Sequence, residues 1–237
     1  MPKTTLPGLD ETTVGLDSVL HTSQRYLASA YDSVSGLIET TYPILRESRP
    51  ASRGRLTDTE QDIFRAAVVF SGAAIDTVFK EALRNCLAIQ VEASESARDK
   101  YIQFVMKYIQ DGPNLDTKNV AILLASRESS DILTRAYVES LTNSSLQSRN
   151  QVEQSLSALG LKGEKDLYID AKRLDPLFRA RNNIAHEMDM TPSSARGQGK
   201  RSRRERIISE YVDMCHTGLN YCQRMLNRLQ STLYFPE

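Results

Sequence analysis

The stretch AAVVFSGAAIDTVF, residues 66–79, constrains the fold of this chain more than any other. On a helix drawn through it, apolar residues fall on nearly every side. Such a helix must be surrounded by other elements rather than laid along a surface. Its one charged residue is Asp76. An ionised carboxylate there is costly unless it is paired and hydrogen-bonded. Two arrangements would satisfy it. Asp76 can sit on a narrow wet edge and pair with Lys80, four residues on, for roughly 0.2–0.5 kcal/mol. Alternatively, it can meet a cation brought from elsewhere in the chain.

The rest of the chain reads as helices that could surround such a spine. Residues 1–9 read as a loose tail. From 11 to about 46, Val14, Leu16, Val19, Leu20, Leu27, Val34 and Ile38 recur at the helical period, with Pro43 placed to end or kink the helix. A loop at 48–55 precedes Thr57-Asp58-Thr59-Glu60, whose spacing is that of a capping box. The spine helix then runs to about 89. A helix over 94–110 stops at DGPN, and Asp116 caps another through AILLAS. Helices over 127–141 and 145–158 are polar enough to sit outside. Asp175-Pro176 starts a further helix, as an N-cap followed by proline at the first helical position, and a last helix spans about 204–233. There is no strand alternation and no internal repeat. The expectation is an all-α, single-domain antiparallel bundle over 10–237 with additional peripheral helices.

Composition closes off several functions. Among 237 residues, 30 Lys+Arg balance 30 Asp+Glu, so the whole molecule is not a polyanion binder and any RNA contact must come from a local patch. Cys86, Cys215 and Cys222 have no CxxC spacing. With three scattered histidines they form no zinc pattern, so no metal and no cofactor is expected. The thiols read as reduced and half-buried. No run approaches about 18 apolar residues, and MPKTTLPGLDETT lacks the apolar core of a signal peptide. The expectation is a cytoplasmic protein with no membrane contact.

One heptapeptide breaks the pattern of plain amphipathic helices. RNNIAHE, 181–187, crowds Arg181, Asn182 and His186 into two turns. At about 100° per residue, Asn182, His186 and Arg179 share one face, while Leu177, Ala180, Ile184, Ala185 and Met188 form the core-facing arc. Arg181 falls inside that arc, where a guanidinium needs a carboxylate or a phosphate. Asp76 is the available buried acid, so Arg181 is expected to be anchored by Asp76 and to reach toward the Asn182–His186 face. Breaking that pair would cost roughly 3–5 kcal/mol if it is fully buried. The plainer alternative is a structural ion pair beside a surface histidine.

Arg-Asn, three residues, then His, late in an all-helical chain, resembles the signature of the HEPN superfamily (higher eukaryotes and prokaryotes nucleotide-binding domains). The flanks in DPLFRARNNIAHE are similar too, and the upstream apolar helix with Asp76 and Lys80 resembles, more weakly, the family's helix that faces the motif. The likeness spans roughly 57–230; the segments between 94 and 160 match nothing. It implies a metal-independent endoribonuclease, active as a homodimer in which the two motifs share a cleft, in a toxin–antitoxin or anti-phage defence setting with an antitoxin or defence partner. It implies Arg181, Asn182, His186 and Asp76 as catalytic residues. The chemistry suits the residue types: an imidazole can act as base or acid near neutrality, and a guanidinium fork can hold phosphate charge. The alternative within the resemblance is a catalytically silent HEPN-fold interaction or nucleotide-binding module. A helical regulator unrelated to the family is a third possibility.

Beyond the motif, TPSSARGQGKRSRRER, 191–206, carries six basic residues against one acid. It reads as a flexible basic loop over 190–204 that holds RNA phosphates through Arg196, Lys200, Arg201, Arg203 and Arg204, with Lys80 and Arg179 nearer the cleft. The alternative is a solvated loop and a charged helix start.

Overall fold

A computed structural model describes residues 4–49, 54–111, 129–191 and 202–234. Within them the fold is all-α; the lone β-feature is an isolated antiparallel bridge between Met190 and Arg203. The spine expected from 66–79 is α3 (Asp58–Ala93), whose Phe64, Val68, Ile75, Phe79 and Leu83 are fully buried. Its start is the capping box read from the sequence. Thr57 Oγ1 accepts from the Glu60 N–H at 3.2 Å, and the Glu60 carboxylate accepts from the Thr57 N–H at 2.7 Å.

Three further elements surround the spine. α1 (His21–Ser35) packs on one side of it and passes through a π-helical stretch (Gly36–Thr41) into α2 (Tyr42–Glu47). Pro43 therefore does not end the helix. The widened turn just before it absorbs the proline's missing donor and ring, with the Tyr42 N–H reaching back to the Leu37 carbonyl. The long C-terminal helix Ile208–Tyr234 packs against both α1 and α3. Phe64 lies between Tyr42, tilted against it at 4.8 Å between ring centroids, and Tyr211, stacked on it at 5.3 Å, which ties all three layers together.

The helices α4 (Glu95–Asp111), α5 (Ser129–Thr142) and α6 (Arg149–Ala158) gather at the far end of α3. The last two are not merely external. Leu133, Tyr137, Val152 and Leu156 are buried, because each helix turns a narrow apolar stripe inward. A short α7 (Lys165–Asp170) and a 3₁₀ turn (Ala171–Leu174) lead directly into α8 (Asp175–Glu187), so Asp175 is the first helical residue rather than a cap. The C-terminal helix is α9. It begins at Ile208 rather than near 204, since the Arg204 N–H and the Arg206 side chain are both held by Asp189. The helix expected from Asp116 lies outside the described residues.

The N-terminal expectations need correction. Residues 4–9 are not a loose tail: Leu6 is buried, and its N–H donates to Glu39 at 2.9 Å. Residues 10–16 are not helical but run along α9, where Asn220 and Asn227 accept from the Asp10 and Thr13 N–H groups. Leu16 is 81% exposed. Apolar spacing alone suggested a helix there, but side-chain amides of α9 take backbone N–H groups of a segment with no regular structure instead. All three cysteines are fully buried, and burial pushes the Cys86 and Cys215 thiols up to about 12. No described helix is long and apolar enough to cross a membrane.

Candidate functional site

α8 docks its first half firmly. Leu177, Phe178 and Ala180 are buried, and Gly218 on α9 provides the hollow that Leu177 fills, since a Cβ there would collide with the leucine side chain. The second half rides off the core. Ile184 and Asn182 are half-buried, whereas Ala185, His186 and Met188 are exposed. The apolar arc drawn from the wheel is thus cut short, because nothing in the described fold covers the last turn.

Arg181 leaves α8 against Gly72 of α3. A Cβ at Gly72 would lie 2.9 Å from the arginine Cγ, so only glycine admits this stem without displacement. Its Nη1 donates to the Gln147 side-chain oxygen in a close contact and to Asn182 Oδ1 at 3.2 Å, while its Nε is buried with no partner among the described residues. No carboxylate among the described residues reaches it. The expected Asp76–Arg181 pair is therefore absent. Asp76 is half-exposed at a wet edge, where it binds Lys80 Nζ at 3.0 Å and accepts from the Leu146 N–H at 2.6 Å. Gly72 lets Arg181 settle one turn before Asp76, and loop 143–148 bridges the two through adjacent residues, Leu146 and Gln147.

The structure thus brings Arg181, Asn182 and Gln147 together, with His186 one helical turn beyond Asn182. Arg179 lies elsewhere. It lines a cleft of about 610 Å³ between α8 and α9, with Asn183, Arg204, Arg206, Glu210 and Asp213. Arg179 and Arg204 have no carboxylate partner among the described residues. A larger cleft of about 750 Å³ lies away from the motif, and its Arg224 and Arg228 are paired with Asp170 and Glu164.

The ends of the basic loop are fastened. Arg196, Lys200 and Arg201 lie outside the described residues, but the two ends of the loop are zipped together. The Thr191 N–H donates to the Ser202 carbonyl at 2.8 Å, and the Arg204 N–H to the Asp189 carbonyl at 2.7 Å. Arg203 is spent on Asp62, bonded at 2.9 Å. Below it, Asp189 is fully buried in the left-handed conformation that ends the motif helix (φ 57°) and accepts from Arg65 Nε at 3.2 Å and Arg206 Nη2 at 3.0 Å. Burial pushes the Asp62 carboxyl up, but the hydrogen bonds from Arg203 and Arg65 outweigh it and hold the group below its ordinary range. Sequence reasoning missed Asp189. Its signal was an acid between Met188 and Met190 just past a helix end, with arginines nearby in sequence but Arg65 far away.

Comparison with known protein families, with curated proteins and with solved structures found no match for this chain.

Proposed function

We propose that the chain is a metal-independent endoribonuclease of HEPN type, with Arg181, Asn182 and His186 as its working residues. The observation that supports this most is the state of Arg181: half-buried, held by amides, and carrying a charge that no carboxylate among the described residues offsets. Such a guanidinium is a ready receptor for a phosphodiester. An exposed imidazole one turn beyond Asn182 can reach the same ligand. In the reaction, the 2′-oxygen gives its proton to a base and attacks phosphorus. The P–O5′ bond breaks, the 5′-oxygen takes a proton from an acid, and a 2′,3′-cyclic phosphate and a 5′-hydroxyl remain. Arg181 stabilises the charge that develops on the phosphorane.

One imidazole cannot be base and acid in the same step. A homodimer with the motifs facing one another supplies the second. An apolar surface beside the motif suits such a contact. Phe70 and Met188 are 49% and 64% exposed, and with Ala66, Val69 and Ile184 they line a hollow of about 330 Å³. RNA beyond the scissile phosphate is held by Arg179 and Arg204 in the α8–α9 cleft, with Asp76 and Lys80 bordering the site on the α3 side.

The deciding experiment is RNA cleavage in EDTA by wild type and His186→Ala, with light scattering for the dimer. Loss of cleavage in His186→Ala with unchanged melting supports the proposal; equal cleavage by both refutes it. A silent interaction module is the second reading, favoured by one observation: the His186 side chain makes no hydrogen bond to any described residue that would orient it. RNA or nucleotide binding by wild type without turnover selects that module. The toxin or phage-defence setting and its partner protein rest on the resemblance, and growth arrest on expression, relieved by His186→Ala, tests them.

A further inference from the structure

The loop that reaches Arg181 is built to stay in place. It joins α5 to α6 and is fastened at four points. Leu146 is buried at 2% exposure, and its N–H is held by Asp76 at 2.6 Å. The Gln147 N–H donates to Gln151 Oε1 at 3.0 Å, and Ser148 caps α6. From this base the Gln147 side-chain oxygen accepts from Arg181 Nη1. An amide can fix a guanidinium without cancelling its charge; a carboxylate at the same place would fix it and cancel it. The deeply buried arginines elsewhere show the second case, Arg46 on Glu60 and Arg65 on Asp62 and Asp189.

We propose that Gln147 is the positioning residue of this site: delivered by the α5–α6 loop and by Asp76 behind it, it aims Arg181 while leaving its charge free for a phosphodiester anion. The middle helices, which have no counterpart in the motif resemblance, then serve to carry this amide. The inference rests on reading Arg181 as a phosphate receptor, not on cleavage.

The test uses the full chain and a 2′-O-methyl oligoribonucleotide, which lacks the attacking hydroxyl, in wild type, Gln147→Glu and the near-isosteric Gln147→Met. Anisotropy gives affinity, and the Arg181 Nε–H resonance, assigned by its loss in Arg181→Lys, gives side-chain order. Gln147→Glu should melt no lower than wild type and keep that resonance ordered, yet bind the oligonucleotide about tenfold more weakly, the scale of one added partly screened charge. Gln147→Met should lose the ordered resonance. Wild-type affinity in Gln147→Glu, or an unchanged resonance in Gln147→Met, overturns the proposal. If affinity falls as expected while wild type cuts no RNA, the nuclease reading fails and this one stands. If wild type cuts RNA and Gln147→Glu both cuts and binds equally, the reverse holds.

Discussion

Arg65 and Arg181 both lie against α3 and are treated in opposite ways. Arg65 is almost wholly buried, with Asp62 on one side and Asp189 on the other, and Asp189 in turn takes Arg206. Arg181 is less buried, and its partners are Gln147 and Asn182. In the first cluster every charge is answered, and the result is a clamp that ties the end of α8, the approach to α9 and the start of α3 together. In the second, position is fixed and no carboxylate among the described residues takes up the charge. The same side chain is architecture where acids surround it and a receptor where amides do.

The largest effect should come from opening the clamp. Asp189→Ala leaves Arg65 buried beside a single half-exposed acid and frees the neck of the basic loop; a loss of roughly 3–5 kcal/mol in denaturant melts is expected. A loss below about 1 kcal/mol would mean that water reaches the cluster. The second buried acid sharpens the contrast through pH. Burial pushes Glu60 up, but the Thr57 N–H, Arg49 and Arg46 outweigh it, and its folded pKa is lowered. Asp62 is lowered likewise. A lowered folded pKa means stability that is present above the unfolded value and lost as pH falls through the folded one. Wild type should therefore weaken below about pH 4, and Glu60→Gln should weaken at neutral pH yet show a shallower acid dependence.

Arg181→Ala orphans no carboxylate among the described residues, so it should cost no more than about 1 kcal/mol, against the roughly 3–5 kcal/mol that pairing with Asp76 would have implied. It should nonetheless abolish RNA cleavage. A large fall in melting temperature would restore a structural role. The smallest stability change is expected from Gly72→Ala. Replacing a mid-helix glycine is worth about 1 kcal/mol, which the displaced Arg181 stem offsets. Melting should barely move while RNA affinity falls. Unchanged affinity would show that Arg181 can shift without consequence.

These contrasts also mark what was legible in advance. The motif face was legible in part: His186 lies at the open edge where the wheel put it, because one helix's periodicity sets which side a residue takes, whereas Asn182 is half-buried and Arg179 lines the α8–α9 cleft. The partner of Arg181 was not. Asp76 was the obvious acid, but Gln147, in a loop with no pattern of its own, took the contact, and no local rule brings residues 34 apart into register. Asp189 and Arg65 are 124 apart and were equally invisible. Arg203 looked like an RNA contact because its sequence neighbours are basic; its spatial neighbour is Asp62.

By itself, then, the sequence determined the helical class, the central place of α3, the capping box at Thr57 and the exposed side taken by His186. Each follows from period, composition or spacing within a few turns, where backbone geometry does the sorting. Only the tertiary structure decided which charges are answered. A carboxylate and a guanidinium attract wherever the fold lets them meet, and the meeting depends on Gly72, on loop 143–148 and on the close of α8 at Asp189, none of which periodicity encodes. It likewise decided that residues 4–15 lie along the bundle without forming a helix, since the asparagines that hold two of their N–H groups stand on α9, more than 200 positions away.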